Sequence, residues 1–146
     1  MNDVDLSGML ADALASGVYF VEADGRAALV DAARTLGFEV FAIDLSGCTG
    51  HDAVLARMAT ALDLPPWFGG NWDALADCLN DLSWRPAEGY VLLLEHAHAW
   101  QAADPAGFDT LLEIAGEASN AWSRHAVPFW LLVLAAPGEL AAATED

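Results

Sequence analysis

Three aspartates at four-residue intervals, Asp73, Asp77 and Asp81, form the most distinctive pattern in the chain. On a helix of about 3.6 residues per turn, this spacing places all three carboxylates on one face. Like charges at this spacing destabilise a helix by roughly 0.2–0.5 kcal/mol per pair. The segment 71–82 contains no Lys or Arg to offset that repulsion. The pattern therefore predicts an acidic ridge, defined by these three residues, that is suited to a cationic partner.

The loop before the acidic ridge, residues 65–70, consists of two prolines, two aromatic residues and two glycines. The prolines stiffen the chain, and the glycines can adopt positive φ angles. Trp67 and Phe68 are thus held beside the carboxylates in a rigid loop, as aromatic residues often are at protein interfaces. The same pattern also fits a second interpretation, in which both aromatics cover the core and the aspartates form a solvated helix face.

The charge of the whole chain is strongly negative. Its 146 residues include 22 Asp and Glu, five arginines and no lysine, for a net charge of −17. Such a chain is repelled by the phosphates of nucleic acids and by anionic bilayers. We therefore expect no direct binding to nucleic acid or membrane, and a partner that is basic or small. An acidic surface of this kind also serves solubility.

Four histidines raise the question of catalysis or metal binding: His51, His96, His98 and His125. His96 and His98 follow a predicted strand, at the position where the sites of α/β enzymes often lie. No third ligand and no nucleophile motif accompanies them, and they also fit a simple turn. The sequence therefore predicts a protein that is not an enzyme and that has no metal site and no cofactor.

The cysteines and the apolar runs indicate the cellular compartment of the protein. Cys48 and Cys78 form no CxxC motif and no disulfide framework, so we expect buried or free thiols in a reducing compartment. The N-terminus lacks the basic and apolar pattern of a secretory signal. The longest apolar runs, Tyr90–Leu94 and Val127–Ala136, are too short to span a bilayer. Together these features predict a cytoplasmic location.

Apolar runs and segments with helical spacing alternate along the chain. The predicted strands are apolar runs at 18–21, 38–45, 90–94 and 129–134. The predicted helices are a segment capped by Asp24 and ended by Gly37, the segments 51–62 and 71–82, and a segment from Asp104-Pro105 to about 122. A weaker helical pattern covers Leu6–Leu14. This alternation favours an α/β fold with a mainly parallel sheet of three or four strands and about four helices.

The length of the chain fits one domain. We expect residues 1–36 to form a strand–helix extension packed on that domain, residues 37–136 to form the main domain, and residues 137–146 to form a flexible tail. No feature of the sequence explains the purpose of the extension.

The segment Leu64–Leu82 resembles the signature of the barstar family, which are intracellular inhibitors of secreted ribonucleases of the barnase type. The matching positions are Leu64-Pro65, Trp67-Phe68-Gly69, Asn71, Asp73-Ala74-Leu75, Asp77 and Cys78-Leu79. The order of strands and helices is similar from Phe38 to Leu134, so the resemblance covers that range. It implies a single barstar-like α/β domain and a basic protein partner, a barnase-type ribonuclease.

The resemblance also implies roles for individual residues. Asp77 would take the place of an RNA phosphate among the basic residues of the nuclease, and Asp73 would pair with a neighbouring basic residue. Trp67 would pack where the family has Tyr, and Gly69 would allow a close approach of the backbone. Glu117 aligns with an acidic contact on the next helix. The full set of predicted partner-binding residues is Trp67, Gly69, Asn71, Asp73, Ala76, Asp77, Asp81 and Glu117.

Two positions depart from the family pattern. Ala76 stands between two aspartates where the family has an aromatic residue, and Leu82 is aliphatic where a family member has Trp. These changes and the N-terminal extension leave a second function open. In that alternative, the chain is an acidic interaction module with a partner that is not a nuclease, for example a nucleic-acid mimic that blocks a DNA-binding protein.

Overall fold

A computed structural model describes residues 6–135 of the chain. Its elements, in chain order, are α1 (Leu6–Leu10), β1 (Val18–Glu22), α2 (Arg26–Thr35), β2 (Glu39–Asp44), α3 (His51–Ala61), α4 (Trp72–Asp81), β3 (Tyr90–Glu95), α5 (His98–Ala103), α6 (Pro105–Ser123) and β4 (Phe129–Ala135). One turn of 3-10 helix, Ala23–Gly25, directly precedes α2. The predicted tail, residues 137–146, lies outside the described residues.

The four strands form one parallel sheet in the order β1-β4-β3-β2. β3 and β4 lie in the middle and are almost entirely buried, which explains their continuous apolar sequences. β1 and β2 lie at the edges and are partly exposed. The predicted α/β fold with a parallel sheet is confirmed. β1 pairs with β4 from Val18 opposite Leu131 to Glu22 opposite Ala135, so the N-terminal strand extends this sheet.

Helices cover both faces of the sheet and enclose two separate cores. On one face, residues such as Leu92 and Leu94 pack with α3, α4, α5 and α6. On the other face, Val91 and Leu93 pack with α1 and α2. This division follows from the period of two in a strand, which points successive side chains to opposite faces. The connection from β1 to β2 thus uses one face of the sheet, and the later connections use the other.

The helices differ from the prediction in number and in one boundary. Residues 6–135 contain six α-helices, where the sequence predicts about four. α1 lies within the weaker helical pattern at Leu6–Leu14, and α5 is a short helix that was not predicted. The prediction that Asp24 caps α2 is wrong. The chain makes the 3-10 turn first, and α2 begins at Arg26 with Gly25 at its N-cap and no capping side chain.

Candidate partner-binding surface

Helix α4 carries the acidic ridge, and its two ends are defined by specific residues. At its start, the side-chain oxygen of Asn71 accepts a hydrogen bond from the backbone N–H of Ala74 at 2.8 Å. This confirms Asn71 as the predicted cap. At its end, Leu82 adopts a left-handed conformation with φ of 49°, while its side chain is fully buried. The burial of Leu82 therefore holds the chain in a conformation that a non-glycine residue rarely adopts.

The inward face of α4 anchors the ridge on the core. Leu75, Cys78 and Leu79 are buried, whereas Asp73, Asp77 and Asp81 are all exposed on the opposite side. Burial raises the pKa of the Cys78 thiol, and the negative charges of Asp77 and Asp81 raise that pKa further. The thiol therefore experiences the electrostatic field of two ridge carboxylates across the helix.

The arginine nearest to the ridge in sequence is directed elsewhere. Arg85 follows Asp81 by four residues, but α4 has ended before it. Its guanidinium group donates to the carboxylate of Glu39 and lies 5.4 Å from the ring centroid of Phe41. Within residues 6–135, no arginine forms an ion pair with an aspartate of the ridge. The ridge therefore remains uncompensated, as the segment 71–82 predicts.

The loop before α4 separates its two aromatic residues. Phe68 is half-buried and packs against the core on the α4 side of the sheet, while Trp67 is 58% exposed. The Trp67 ring meets the ring of Trp84 edge to face, with 6.4 Å between their centroids. The indole nitrogen of Trp84 in turn donates to the carbonyl oxygen of Leu62 at 3.2 Å. Phe68 therefore covers the core, whereas Trp67 is exposed. A role of Trp67 in binding a partner stays a prediction.

The two glycines of the loop have different roles. Gly70 has a φ of +75°, so the loop requires the freedom of glycine there. A Cβ atom placed on Gly69 would lie 3.7 Å from the amide nitrogen of Asn71 and 3.8 Å from Ala74 Cβ, which are ordinary contacts. Neighbouring atoms of the protein therefore do not crowd Gly69, and close approach of a partner's backbone to this residue remains a prediction.

Helix α6 supports α4 and carries the last predicted contact residue. It begins as predicted, with Pro105 in its first turn and a side-chain oxygen of Asp104 accepting from the backbone N–H of Gly107. The indole nitrogen of Trp122 donates to the carbonyl oxygen of Leu79 at 2.8 Å and so joins α6 to the last turn of α4. Glu117 is exposed, away from the buried stripe of α6.

The structure places the eight predicted partner-binding residues on the loop before α4, on α4 and on α6. The loop and α4 carry Trp67, Gly69, Asn71, Asp73, Ala76, Asp77 and Asp81, and α6, packed against α4, carries Glu117. Ala76 is half-buried and the others are exposed. We call this set the candidate surface.

Two residues that position the candidate surface were not predicted from the sequence. Trp84 supports Trp67, and His51 lies against Trp72 at the start of α4, with 5.9 Å between ring centroids. Each contact joins residues about 17 to 21 positions apart, beyond the range of helix or strand periodicity. The available signals were weak: Trp84 is an aromatic residue shortly after the end of α4, and His51 is the first residue of α3.

The remaining chemistry-bearing residues form no metal cluster in the part of the chain that the structure describes. Cys48 and Cys78 are free and buried. No three His, Cys, Asp or Glu side chains among residues 6–135 are grouped so that they could hold a metal ion. No helix within the same range has the length and apolar character needed to cross a membrane.

Comparison with known proteins gives one family and a fold likeness. The model of the family described as Barstar (barnase inhibitor) matches residues 38–134. No curated protein matches the chain.

Among solved structures, the Aeropyrum pernix ORC2 protein, in ADPNP-ADP complexes, is 14% identical with a TM-score of 0.63, over 99% of this chain and 43% of that one. Drosophila ORC bound to DNA is 14% identical with a TM-score of 0.55, over 91% of this chain and 36% of that one. The chain spans less than half of either solved chain, and these likenesses show the fold alone.

Proposed function

The chain belongs to the barstar family, and from this premise we propose that it inhibits a ribonuclease of the barnase type by covering its basic active site. One observation carries the proposal: three exposed carboxylates without an internal cation lie on a helix beside the exposed Trp67. We propose no catalytic role for the chain. Its place of action in this proposal is the cytoplasm, where it protects the cell that makes the nuclease.

The acidic ridge supplies the chemistry that such an enzyme recognises. A ribonuclease must hold the phosphates of RNA, so its active site presents Arg and Lys side chains. Asp77, in the middle of the ridge, takes the place of a phosphate among them, and Asp73 pairs with a neighbouring basic residue. Docking also removes the repulsion between carboxylates one helical turn apart, because cations then lie between them.

The residues around the ridge extend the contact. Trp67 offers a large, rigid, partly exposed ring, which is the type of residue that dominates interface energies. Open space above Gly69 allows the partner's backbone to come close. Glu117 adds a carboxylate from α6, a helix already joined to α4 through Trp122. The inhibitor thus binds with one preformed surface.

The net charge of −17 acts before contact is made. A cationic enzyme is attracted to the chain at distances of about a Debye length, roughly 8 Å at physiological salt. We therefore expect the association rate to fall as salt increases. The dissociation rate depends on the close contacts of the candidate surface and should change much less with salt.

Cleavage of RNA by barnase, measured with and without the purified chain, tests the proposal. The unchanged chain should abolish cleavage at about equimolar ratio. Asp77→Asn should weaken binding by roughly 2–5 kcal/mol, or about 30-fold or more in Kd, because nuclease cations are left buried without a partner.

Asp31→Asn is the matched control for this measurement. Asp31 is exposed on α2, which packs on the opposite face of the sheet from α4. Both substitutions remove one negative charge, so they change long-range attraction alike, and only Asp77→Asn should raise the dissociation rate. Uninhibited cleavage by barnase, or equal effects of the two variants, would contradict the proposal and favour an acidic module with a partner that is not a nuclease.

A further inference from the structure

A cavity of about 470 Å³ opens at the carboxyl end of the parallel sheet. Its walls come from the segments that follow β1, β2 and β3 and from the end of β4. The lining residues that carry the inference are Arg26, Glu95, His96, His98, Ala99 and Leu134. None of them belongs to the candidate surface, so the cavity has no part in the proposed inhibition.

The position of the cavity follows from the topology of the sheet. After β1 the chain crosses to α2 on one face, whereas after β2 and β3 it continues to helices on the other face. Between the diverging connections, a crevice stays open beyond the strand ends. In open parallel sheets, this point of divergence is where ligands bind.

The polar side chains of the cavity are unusual for so acidic a protein. Of the five arginines and four histidines in the chain, one arginine and two histidines line this single cavity. Nε and Nη2 of Arg26 donate to the two carboxylate oxygens of Glu95 at 3.1 and 3.2 Å. The Arg26 side chain is nevertheless 42% exposed, so part of its guanidinium group faces the solvent.

The backbone of His96 also marks the cavity. His96 has a φ of +58°, in the left-handed region that favours glycine, directly after the end of β3. Residues held in this conformation against their preference occur often at binding sites. His98 follows two residues later, at the start of α5, and both histidines line the cavity.

We propose that this cavity binds a small molecule with an oxyanion group, a carboxylate or a phosphate, held by Arg26, His96 and His98. The apolar wall at Ala99 and Leu134 contacts the rest of the molecule. Glu95 forms an ion pair with Arg26 and therefore competes with the ligand for its guanidinium group. The ligand is thus an anion small enough for the cavity, in contrast to the cationic protein proposed for the candidate surface.

Nuclear magnetic resonance of the four histidine rings tests the site without a known ligand. The protein is titrated with inorganic phosphate and, separately, with acetate, at constant ionic strength and at one fixed pH. The signals of His96 and His98 should shift and saturate, while those of His51 and His125 stay in place. The probe that binds more tightly identifies the ligand group as phosphate or carboxylate. No saturable shift with either probe, or equal shifts of all four rings, would overturn the proposal.

Three variants separate binding from structural support. Arg26→Gln should weaken binding of the probe by about tenfold or more in Kd, because a charged hydrogen-bond donor is lost. Arg34→Gln, on the exposed side of the same helix, should leave binding unchanged. Glu95→Gln should strengthen binding, because it releases Arg26. If Arg26→Gln and Glu95→Gln weakened binding alike, the pair would be only structural and the proposal would be wrong.

Discussion

The ring of Trp67 stands perpendicular to the ring of Trp84, with 6.4 Å between the centroids and 90° between the planes. Trp84 is itself held, since its indole nitrogen donates to the carbonyl oxygen of Leu62, the C-cap residue of α3. One side chain therefore links the end of α3 to the exposed ring of the following loop. Trp67 reaches solvent from a supported position, which lowers the entropy that it loses when a partner binds.

Replacing Trp84 should release Trp67. In Trp84→Leu, the edge-to-face contact and the bond to Leu62 are both lost, so the Trp67 indole should gain fast motion, seen as a lower heteronuclear NOE of its N–H group. Trp84→Phe keeps a ring but removes the hydrogen bond, and its effect should be smaller. Unchanged Trp67 motion in Trp84→Leu would mean that the loop is supported in another way.

The Asn71 cap should contribute measurably to stability. Asn71→Ala removes the acceptor of the Ala74 N–H bond and should lower the free energy of unfolding by about 1 kcal/mol, measured by urea denaturation. Asn71→Asp retains the acceptor and places a negative charge at the positive end of the helix, so it should keep most of the stability. Equal destabilisation by both variants would argue against the capping role.

The bond between α6 and α4 should protect the end of α4. Trp122→Phe keeps an aromatic ring near Tyr90 but leaves the carbonyl oxygen of Leu79 without its indole donor. We expect a loss of about 1–3 kcal/mol in unfolding free energy. Hydrogen exchange should accelerate most in the last turn of α4. Uniform acceleration over the whole chain would show instead that the bond supports the fold as a whole.

Two glycines should respond in opposite directions to alanine. A Cβ atom at Gly89 would lie 2.7 Å from the ring of Phe38, so Gly89→Ala should destabilise the protein by about 1–3 kcal/mol. At Gly116, inside α6, a Cβ atom meets nothing within 4 Å. Gly116→Ala should therefore stabilise the protein by roughly 0.5–1 kcal/mol, because alanine is the better helix former. Thermal unfolding should therefore show a lower Tm for Gly89→Ala and a higher Tm for Gly116→Ala than for the unchanged protein.

The Cys78 thiol should make stability fall at alkaline pH. Its pKa in the folded protein is raised above the ordinary value of 9.0, first by burial and then by the charges of Asp77 and Asp81. Because the unfolded state loses the proton first, the stabilisation is complete below about pH 9 and is lost as the pH rises through the folded pKa. Burial raises the pKa of Tyr90 as well, and its contribution is lost at still higher pH, above its ordinary value of 10.0.

The pKa of the Cys78 thiol should also respond to the charge of the ridge. Asp77→Asn removes one of the carboxylates that raise the Cys78 pKa, so that pKa should fall. The change is measured by following the Cβ signal of labelled cysteine with pH. Asp31→Asn, on the opposite face of the sheet, should leave the signal unchanged. If the Cys78 pKa did not change in Asp77→Asn, the charges of the ridge would be screened by solvent from the buried thiol.

Local patterns predicted the elements that carry the candidate surface. The Asn71 and Asp104 caps were predictable because each bond closes within three residues. The outward position of the three aspartates follows from the helical period alone. Asp24 failed as a cap because one turn of 3-10 helix moved the N-cap of α2 by one residue, to Gly25, and turn geometry carries only a weak sequence signal.

The sequence by itself therefore determined the order of strands and helices, the acidity of α4 and the absence of a cation within it. The tertiary structure decided which neighbouring aromatic faces solvent, why Arg85 pairs with Glu39 instead of the ridge, and that Arg26 and His96 share a cavity. These outcomes depend on contacts between residues far apart in the chain, such as Trp122 with Leu79 across 43 positions. Periodicity and capping act over about one turn, so they determine elements; the packing of elements against each other determines the surfaces and cavities.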